Sequence, residues 1–150
     1  MWNRRNLLGS CLVLAASSGI ARAQAPGMPG MGMPGMGQSP MTRDSCIDIC
    51  IKSHRMCLET ARYCSEKGGA HVAPTHLALL LDCAEMCQMT ANSLMRRSPQ
   101  HGAICSACAQ LCDACANDCE TIAGDEQMAH CASLCRDCAR DCRAMVNMPI

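Results

Sequence analysis

The sequence predicts an all-α protein, an antiparallel up-down four-helix bundle with a Cys-lined core. Three observations carry the prediction. Cysteine recurs at alternating steps of three and four along several segments, which keeps the thiols on one face of a helix. Gly and Pro signals separate four such segments by short gaps, and short connections make neighbouring helices antiparallel. From Thr42 to Ile150 there are 16 Val, Ile and Leu against 15 Cys, and Tyr63 is the sole aromatic. An ordinary interior of large apolar side chains is therefore excluded.

Residues 1–23 read as a cleaved export signal. Arg4 and Arg5 form a basic start, Leu7 to Ala16 a short apolar stretch, and Ala21-Arg22-Ala23 a small-x-small cleavage site. The run Arg4-Arg5-Asn6-Leu7-Leu8 also fits a twin-arginine signal, which carries a folded protein to the periplasm. Folded export suits this chain, since unfolded thiols entering an oxidising compartment would pair at random. The apolar stretch is too short to span a membrane. Cleavage removes Cys11 and leaves 15 Cys, an odd number that cannot all pair within one chain. It also removes Arg4, Arg5 and Arg22, so 13 basic residues become 10 against 13 acidic ones, a net charge of −3. That balance gives no electrostatic case for nucleic acid.

Residues 24–41 form a Gly- and Pro-rich tail with Met28, Met31, Met33, Met36 and Met41. Such composition supports no regular helix or strand. The thioethers are soft ligands suited to Cu(I), although a linker with incidental Met reads equally well.

The bundle itself is assigned to residues 42–150. The first helix runs from about Thr42 to Lys67 and stops at Gly68-Gly69. It carries Cys46, Cys50, Cys57 and Cys64, with Ser53 and Thr60 at the intervening positions of the same face. The second opens near Pro74, an acceptable first helical residue, ends around Arg97, and carries Cys83 and Cys87. These two sit between His76 and Leu80 on one side and Thr90 and Leu94 on the other. The third opens at Ser98-Pro99, a cap followed by proline, and stops at Gly124. Its five thiols are Cys105, Cys108, Cys112, Cys115 and Cys119. The fourth opens on Asp125-Glu126, acids that suit a helix N-terminus, and ends before Pro149. Cys131, Cys135, Cys138 and Cys142 form its seam, and Met128 and Met145 extend it at either end. Its other face is charged, through Arg136, Asp137, Arg140, Asp141 and Arg143.

Four uses of such seams compete. Buried Cys can pack as a small hydrophobe, but fifteen would leave an underfilled core. A disulfide framework suits an exported chain; against it stand the odd count and the poor mutual aim of thiols spaced along one helix. Zinc sites use separate sets of four ligands, and no separate fours can be parsed from this spacing. The run Cys105, Cys108, Cys112, Cys115 has the wrong central gap for a ferredoxin-type iron–sulfur motif and lacks its proline. Cu(I) explains most: it prefers thiolate and thioether and accepts few ligands. Two thiolates one turn apart can chelate one ion, and facing helices can bridge others. A redox protein with an iron–sulfur cluster stays the rival from another class. An enzyme is not expected, because no acid–base or nucleophile constellation stands apart from the seams.

The sequence resembles the copper storage proteins, Cys-rich four-helix bundles that hold many Cu(I) ions inside the bundle. The resemblance covers about Cys46 to Met145. It rests on Cys-x3-Cys pairs at 46/50, 83/87, 108/112, 115/119, 131/135 and 138/142, and on Cys-x2-Cys pairs at 105/108, 112/115 and 135/138. It implies a homotetramer of bundles that stores copper for a cuproenzyme, and loading through an open end lined by Met or His. An antiparallel bundle gathers Met41, Met95, His101 and Met145 at one end, and His71, His76, Met128 and His130 at the other. Of these, His76, His101, Met128 and Met145 are the candidate accessory ligands to the fifteen cysteines. His54 reads as a surface residue, and Met86 and Met89 as packing.

Overall fold

The computed structural model describes residues 41–149. The expected signal peptide, the tail as far as Pro40 and the last residue lie outside the described residues. Within them the chain forms α1 (Arg43–Lys67), a 3-10 turn (Gly69–Val72), α2 (Pro74–Met95), α3 (His101–Glu120) and α4 (Glu126–Met145). No strand occurs among the described residues.

Three of the four helix starts have a local cause. Thr42 caps α1 from an extended conformation: its hydroxyl accepts from the Ser45 amide at 3.1 Å, and the Ser45 hydroxyl accepts from the Thr42 amide at 2.8 Å. That reciprocal box satisfies two otherwise unpaired donors. Pro74 opens α2, where its missing N–H costs nothing. Asp125 caps α4, accepting from the Gln127 and Met128 amides at 3.0 and 3.2 Å.

The α2–α3 connection departs from the expectation. Helix α2 ends at Met95, not Arg97, because Arg97 takes a left-handed conformation with φ 53°. Its amide bonds to Leu94 O at 3.0 Å and the Ser98 amide to Ser93 O at 3.0 Å. This is a Schellman closure with Arg where Gly is usual. The Ser98 amide thus ends α2, while its hydroxyl accepts from the Gln100 amide at 3.2 Å just ahead of α3, which begins later than expected, at His101. At the other extreme, α3 stops at Glu120, and the turn to α4 passes through Gly124 at φ 80°. The 3-10 turn after α1 was not expected from the sequence.

In the bundle α1 packs on α2 and α4, and α3 packs on the same two, with no backbone contact across either diagonal among the described residues. Ala84, Ala109, Ala116, Ala132 and Ala139 each follow a core cysteine and are buried. These small side chains let neighbouring helices approach closely. Among the described residues the large apolar side chains fully sealed from water are Leu80, Leu94, Met128 and Met145, each contributing about 1.5–3 kcal/mol. The rest of the axis is sulfur. After α4, the chain crosses the start of α3: a Cβ at Gly102 would lie 2.5 Å from Val146 O, so only glycine fits there.

Candidate metal centre

The fifteen cysteines among the described residues are all free thiols, and none is more than 1% exposed. The helix seams therefore turn inward together, as the spacing predicts. Antiparallel packing sets their axial order. At one level Cys50 Sγ lies 3.8 Å from Cys138 and 3.7 Å from Cys142. Further along, Cys57 lies 3.8 Å from Cys135. Helix α2 enters through Cys87, 3.8 and 3.6 Å from Cys108 and Cys112, and through Cys83, 3.6 and 3.9 Å from Cys112 and Cys135. Cys46 joins the array at 4.0 Å from Cys142. These separations suit sulfurs that share a metal.

The thiols group into sets that spacing along the chain did not reveal. Cys50, Cys108, Cys138 and Cys142 form one quartet, Cys57, Cys83, Cys115 and Cys135 a second, and Cys87, Cys108, Cys112 and Cys138 a third, with Cys115, Cys119 and Cys131 as a trio. Within each set the sulfurs lie within 4.8 Å of one another. Because sets share members, ions bound in them would be joined through common thiolates.

Hydrogen bonds among the sulfurs shift their acidity in opposite directions. Cys57, Cys112 and Cys142 thiols are pushed above the ordinary value, foremost by hydrogen bonds with Cys115, Cys108 and Cys105 respectively, and further by burial. Cys83, Cys108 and Cys131 are pushed down, foremost by bonds from Cys112, Cys112 and Cys115, with burial opposing. Protons thus sit between sulfurs in the metal-free core. A soft cation replaces them and supplies the positive charge that lets many thiolates coexist in a low-dielectric interior.

The two ends differ. Near the end of α1, Cys64 Sγ lies 3.4 Å from His76 Nε2. The Asp118 carboxylate accepts from His76 Nδ1 at 2.5 Å, which fixes the tautomer and turns the Nε2 lone pair toward Cys64. Burial, helped by the charges of Cys131 and Asp125, pushes the Cys64 thiol up. Met128 is fully buried at this end, whereas His130 is exposed. His71 is occupied elsewhere: its Nε2 meets Asp125 at 3.0 Å and its ring stands edge-on to Tyr63.

At the opposite end Met145 is fully buried, Met41 half-buried and Met95 exposed. Both nitrogens of His101 face backbone carbonyls, Ser98 O at 3.1 Å and Met148 O at 2.9 Å. In this arrangement His101 fastens the C-terminal segment and offers no lone pair to the core. His54 is not a free surface residue; its Nδ1 donates to Ala84 O at 2.9 Å and ties α1 to α2. Of the two methionines read as packing, Met86 does pack on the core and Met89 is half-exposed. Sequence reasoning missed Asp118 and Ser53, the latter wholly buried with an unpartnered hydroxyl. Only its seam register, shared with Thr60, set Ser53 apart.

A four-helix bundle lined by thiols, with sulfurs at metal-sharing distances, defines a protein that binds soft metal ions in its interior. The copper storage protein family model matches residues 39–147, and the chain belongs to that family. Storing copper is its function, and the helical bundle is the vessel. Among solved structures, a protein from Nitrosospira multiformis is 42% identical, with a TM-score of 0.66 over 69% of this chain and 94% of that one. The Cu(I)-bound copper storage protein BsCsp3 is 29% identical, with a TM-score of 0.65 over 69% of this chain and 96% of that one. A cytosolic copper storage protein from Streptomyces lividans, carrying five coppers, is also 29% identical, with a TM-score of 0.64 over 71% and 92%. No curated protein sequence matches the chain.

Proposed function

We propose that all fifteen core thiols ligate Cu(I), and that the bundle is filled as a chain of ions with shared thiolates. The observation that carries this is the run of Sγ separations of 3.6–4.0 Å joining thiols of all four helices. Capacity is on the order of one ion per thiol or somewhat fewer, since bridging sulfurs are shared. His76 and Met128 extend the ligand set at one end and Met145 at the other. His101 joins only if the segment around Met148 lets go. Anaerobic titration of reduced protein with Cu(I) against a competing chelator tests the reading. Ten or more ions per chain support it, and saturation at one or two overturns it.

Residues 1–23 serve as a twin-arginine signal that delivers the folded store to the periplasm, and residues 24–41 as a Met-rich tail beside the bundle of residues 42–150. Support comes from the Arg4-Arg5 pair and the cleavage pattern ending at Ala23. The Streptomyces relative is by contrast described as cytosolic. Fractionation of cells expressing the full chain or its Arg4→Lys, Arg5→Lys variant decides: periplasmic protein lost in the variant supports export by this route. Among the described residues no helix is long and apolar enough to cross a membrane.

Homo-oligomerisation, a tetramer by family resemblance, runs through the outer face of α1 and α2. Ile51, Leu58 and Leu81 are each more than 40% exposed there, beside the His54–Ala84 tie. Light scattering of wild type and Leu58→Glu measures it. The store serves a copper-receiving cuproenzyme or chaperone, or acts as a sink against excess copper.

A further inference from the structure

One quartet of thiols is shaped for a different kind of metal ion. Metal–sulfur bonds of about 2.3 Å arranged as a tetrahedron give sulfur–sulfur edges of about 3.8 Å. Cys87 Sγ lies 3.8, 3.6 and 3.9 Å from Cys108, Cys112 and Cys138, and Cys108 lies 3.9 Å from Cys112. The two remaining edges, both to Cys138, are within 4.8 Å. Four of the six edges of the set thus have tetrahedral length before any metal arrives. Helices α2, α3 and α4 supply all of them.

Helix α1 supplies something else at this level. Cys50 and Cys57 lie 3.8 Å from Cys138 and Cys135 respectively, and the seam residue between them is Ser53. Its hydroxyl is wholly buried and has no hydrogen-bond partner. A divalent cation with four thiolates carries two excess negative charges, and a buried site of that kind needs hydrogen-bond donors on its sulfurs. The Ser53 hydroxyl, one turn from Cys50 and uncommitted, is the donor α1 can offer once metal draws the sulfurs together, although Cys50 also reaches Cys138.

We propose that Cys87, Cys108, Cys112 and Cys138 form a tetrathiolate site for one tetrahedral divalent cation of the zinc class, with Ser53 donating to its sulfurs. Binding releases the four thiol protons to solvent and ties three helices together. Soft Cu(I) displaces the ion when copper is abundant, so the site keeps the thiols closed and the bundle ordered when copper is scarce. This goes beyond copper storage and does not depend on the copper capacity.

The test uses reduced, metal-free protein under anaerobic conditions, with Co2+ as the spectroscopic probe and Zn2+ competed against a chromophoric chelator. The first equivalent of Co2+ is expected to give the intense ligand-field bands of a tetrahedral tetrathiolate, bleached by one equivalent of Zn2+. Cys112→Ser loses those bands, whereas Cys57→Ser, in the quartet with one thiol from each helix, keeps them. Ser53→Ala weakens Zn2+ binding about tenfold, as loss of an outer hydrogen bond does. Far-UV circular dichroism checks folding, and if Cys112→Ser loses helix, Cys87→Ser and Ser53→Ala carry the test. Weak octahedral bands, or bands lost in Cys57→Ser and kept in Cys112→Ser, overturn the assignment. Unchanged Zn2+ affinity in Ser53→Ala overturns the role of the hydroxyl. A high Cu(I) capacity in protein that shows no Co2+ site removes this proposal and leaves copper storage standing.

Discussion

The α1–α2 hairpin and the α3–α4 hairpin solve the same packing problem with opposite materials. In α3–α4, nine seam positions are cysteine, flanked by buried alanines, and the outside is laced with ions. There Arg136 reaches Glu120 at 2.9 Å and Asp113 at 3.6 Å, and Arg143 also pairs with Asp113. In α1–α2, six seam positions are cysteine, and Ser53, Thr60, Leu80, Thr90 and Leu94 occupy others. Its outside exposes Ile51, Leu58 and Leu81. Each hairpin seals two large apolar side chains, Leu80 and Leu94 in one and Met128 and Met145 in the other, but α3–α4 leaves more of its inner face to be completed by metal. The difference teaches that a storage protein needs a frame that survives empty, and that the hairpin with fewer thiols depends on metal less to supply it.

The largest expected effect breaks or confirms that division directly. Filling the core with Cu(I) should raise stability by on the order of 10 kcal/mol, the scale of structural metal sites. Amide hydrogen exchange should show the gain in protection concentrated in α3 and α4. Equal gains in all four helices would end the comparison. Next in size, Leu80→Ala should cost metal-free protein about 2–5 kcal/mol in urea unfolding. Cys115→Ala, which deletes less volume from the metal-dependent hairpin, should cost about 1 kcal/mol. A larger cost for Cys115→Ala would place the frame on the wrong side.

A pH effect follows at the junction of the two hairpins. The Asp125 carboxyl is held down at about 2, from an ordinary 3.8, foremost by the Tyr63 hydroxyl at 2.7 Å, with the Met128 amide, His71 and the Gln127 amide adding. Burial opposes these bonds. A carboxyl whose folded pKa is lowered stabilises the fold above its unfolded value and loses that contribution as pH falls. Thermal unfolding of wild type should therefore weaken between about pH 4 and pH 2. Asp125→Asn, which keeps a capping side chain, should lack that step. Smallest of all, Arg136→Ala should cost about 1 kcal/mol or less, since its ion pairs are solvent-screened. Its copper capacity should match wild type in the same titration.

Much of this architecture was legible because helix period and thiol placement are the same information. Once Cys105 to Cys119 and Cys131 to Cys142 fall at steps of three and four, their burial follows. Helix ends were less legible. Ser98-Pro99 reads as a start, yet the Ser98 amide is spent on Ser93 O, and only the left-handed Arg97 reveals it. Grouping of thiols into quartets was not legible at all, because it depends on the axial offset between helices, which no spacing within one helix encodes. The role of Asp118 was hidden for the same reason: its partner His76 lies 42 residues away. The contact of His101 with Met148 O was not legible either, because it belongs to a segment with no pattern of its own.

The contact between Gly102 and Val146 has a practical side. Because the carbonyl of Val146 occupies the place of a side chain on α3, the segment after α4 sits as a fitted stopper against the start of α3. A tag fused beyond Pro149 would tug on that stopper, and Gly102→Ala would push it out by steric force alone. Either change should loosen the methionine-bearing mouth while leaving the His76 mouth as it was. The methionine-bearing mouth can therefore be opened by itself, by editing Gly102 or the segment fitted against it rather than the ligands.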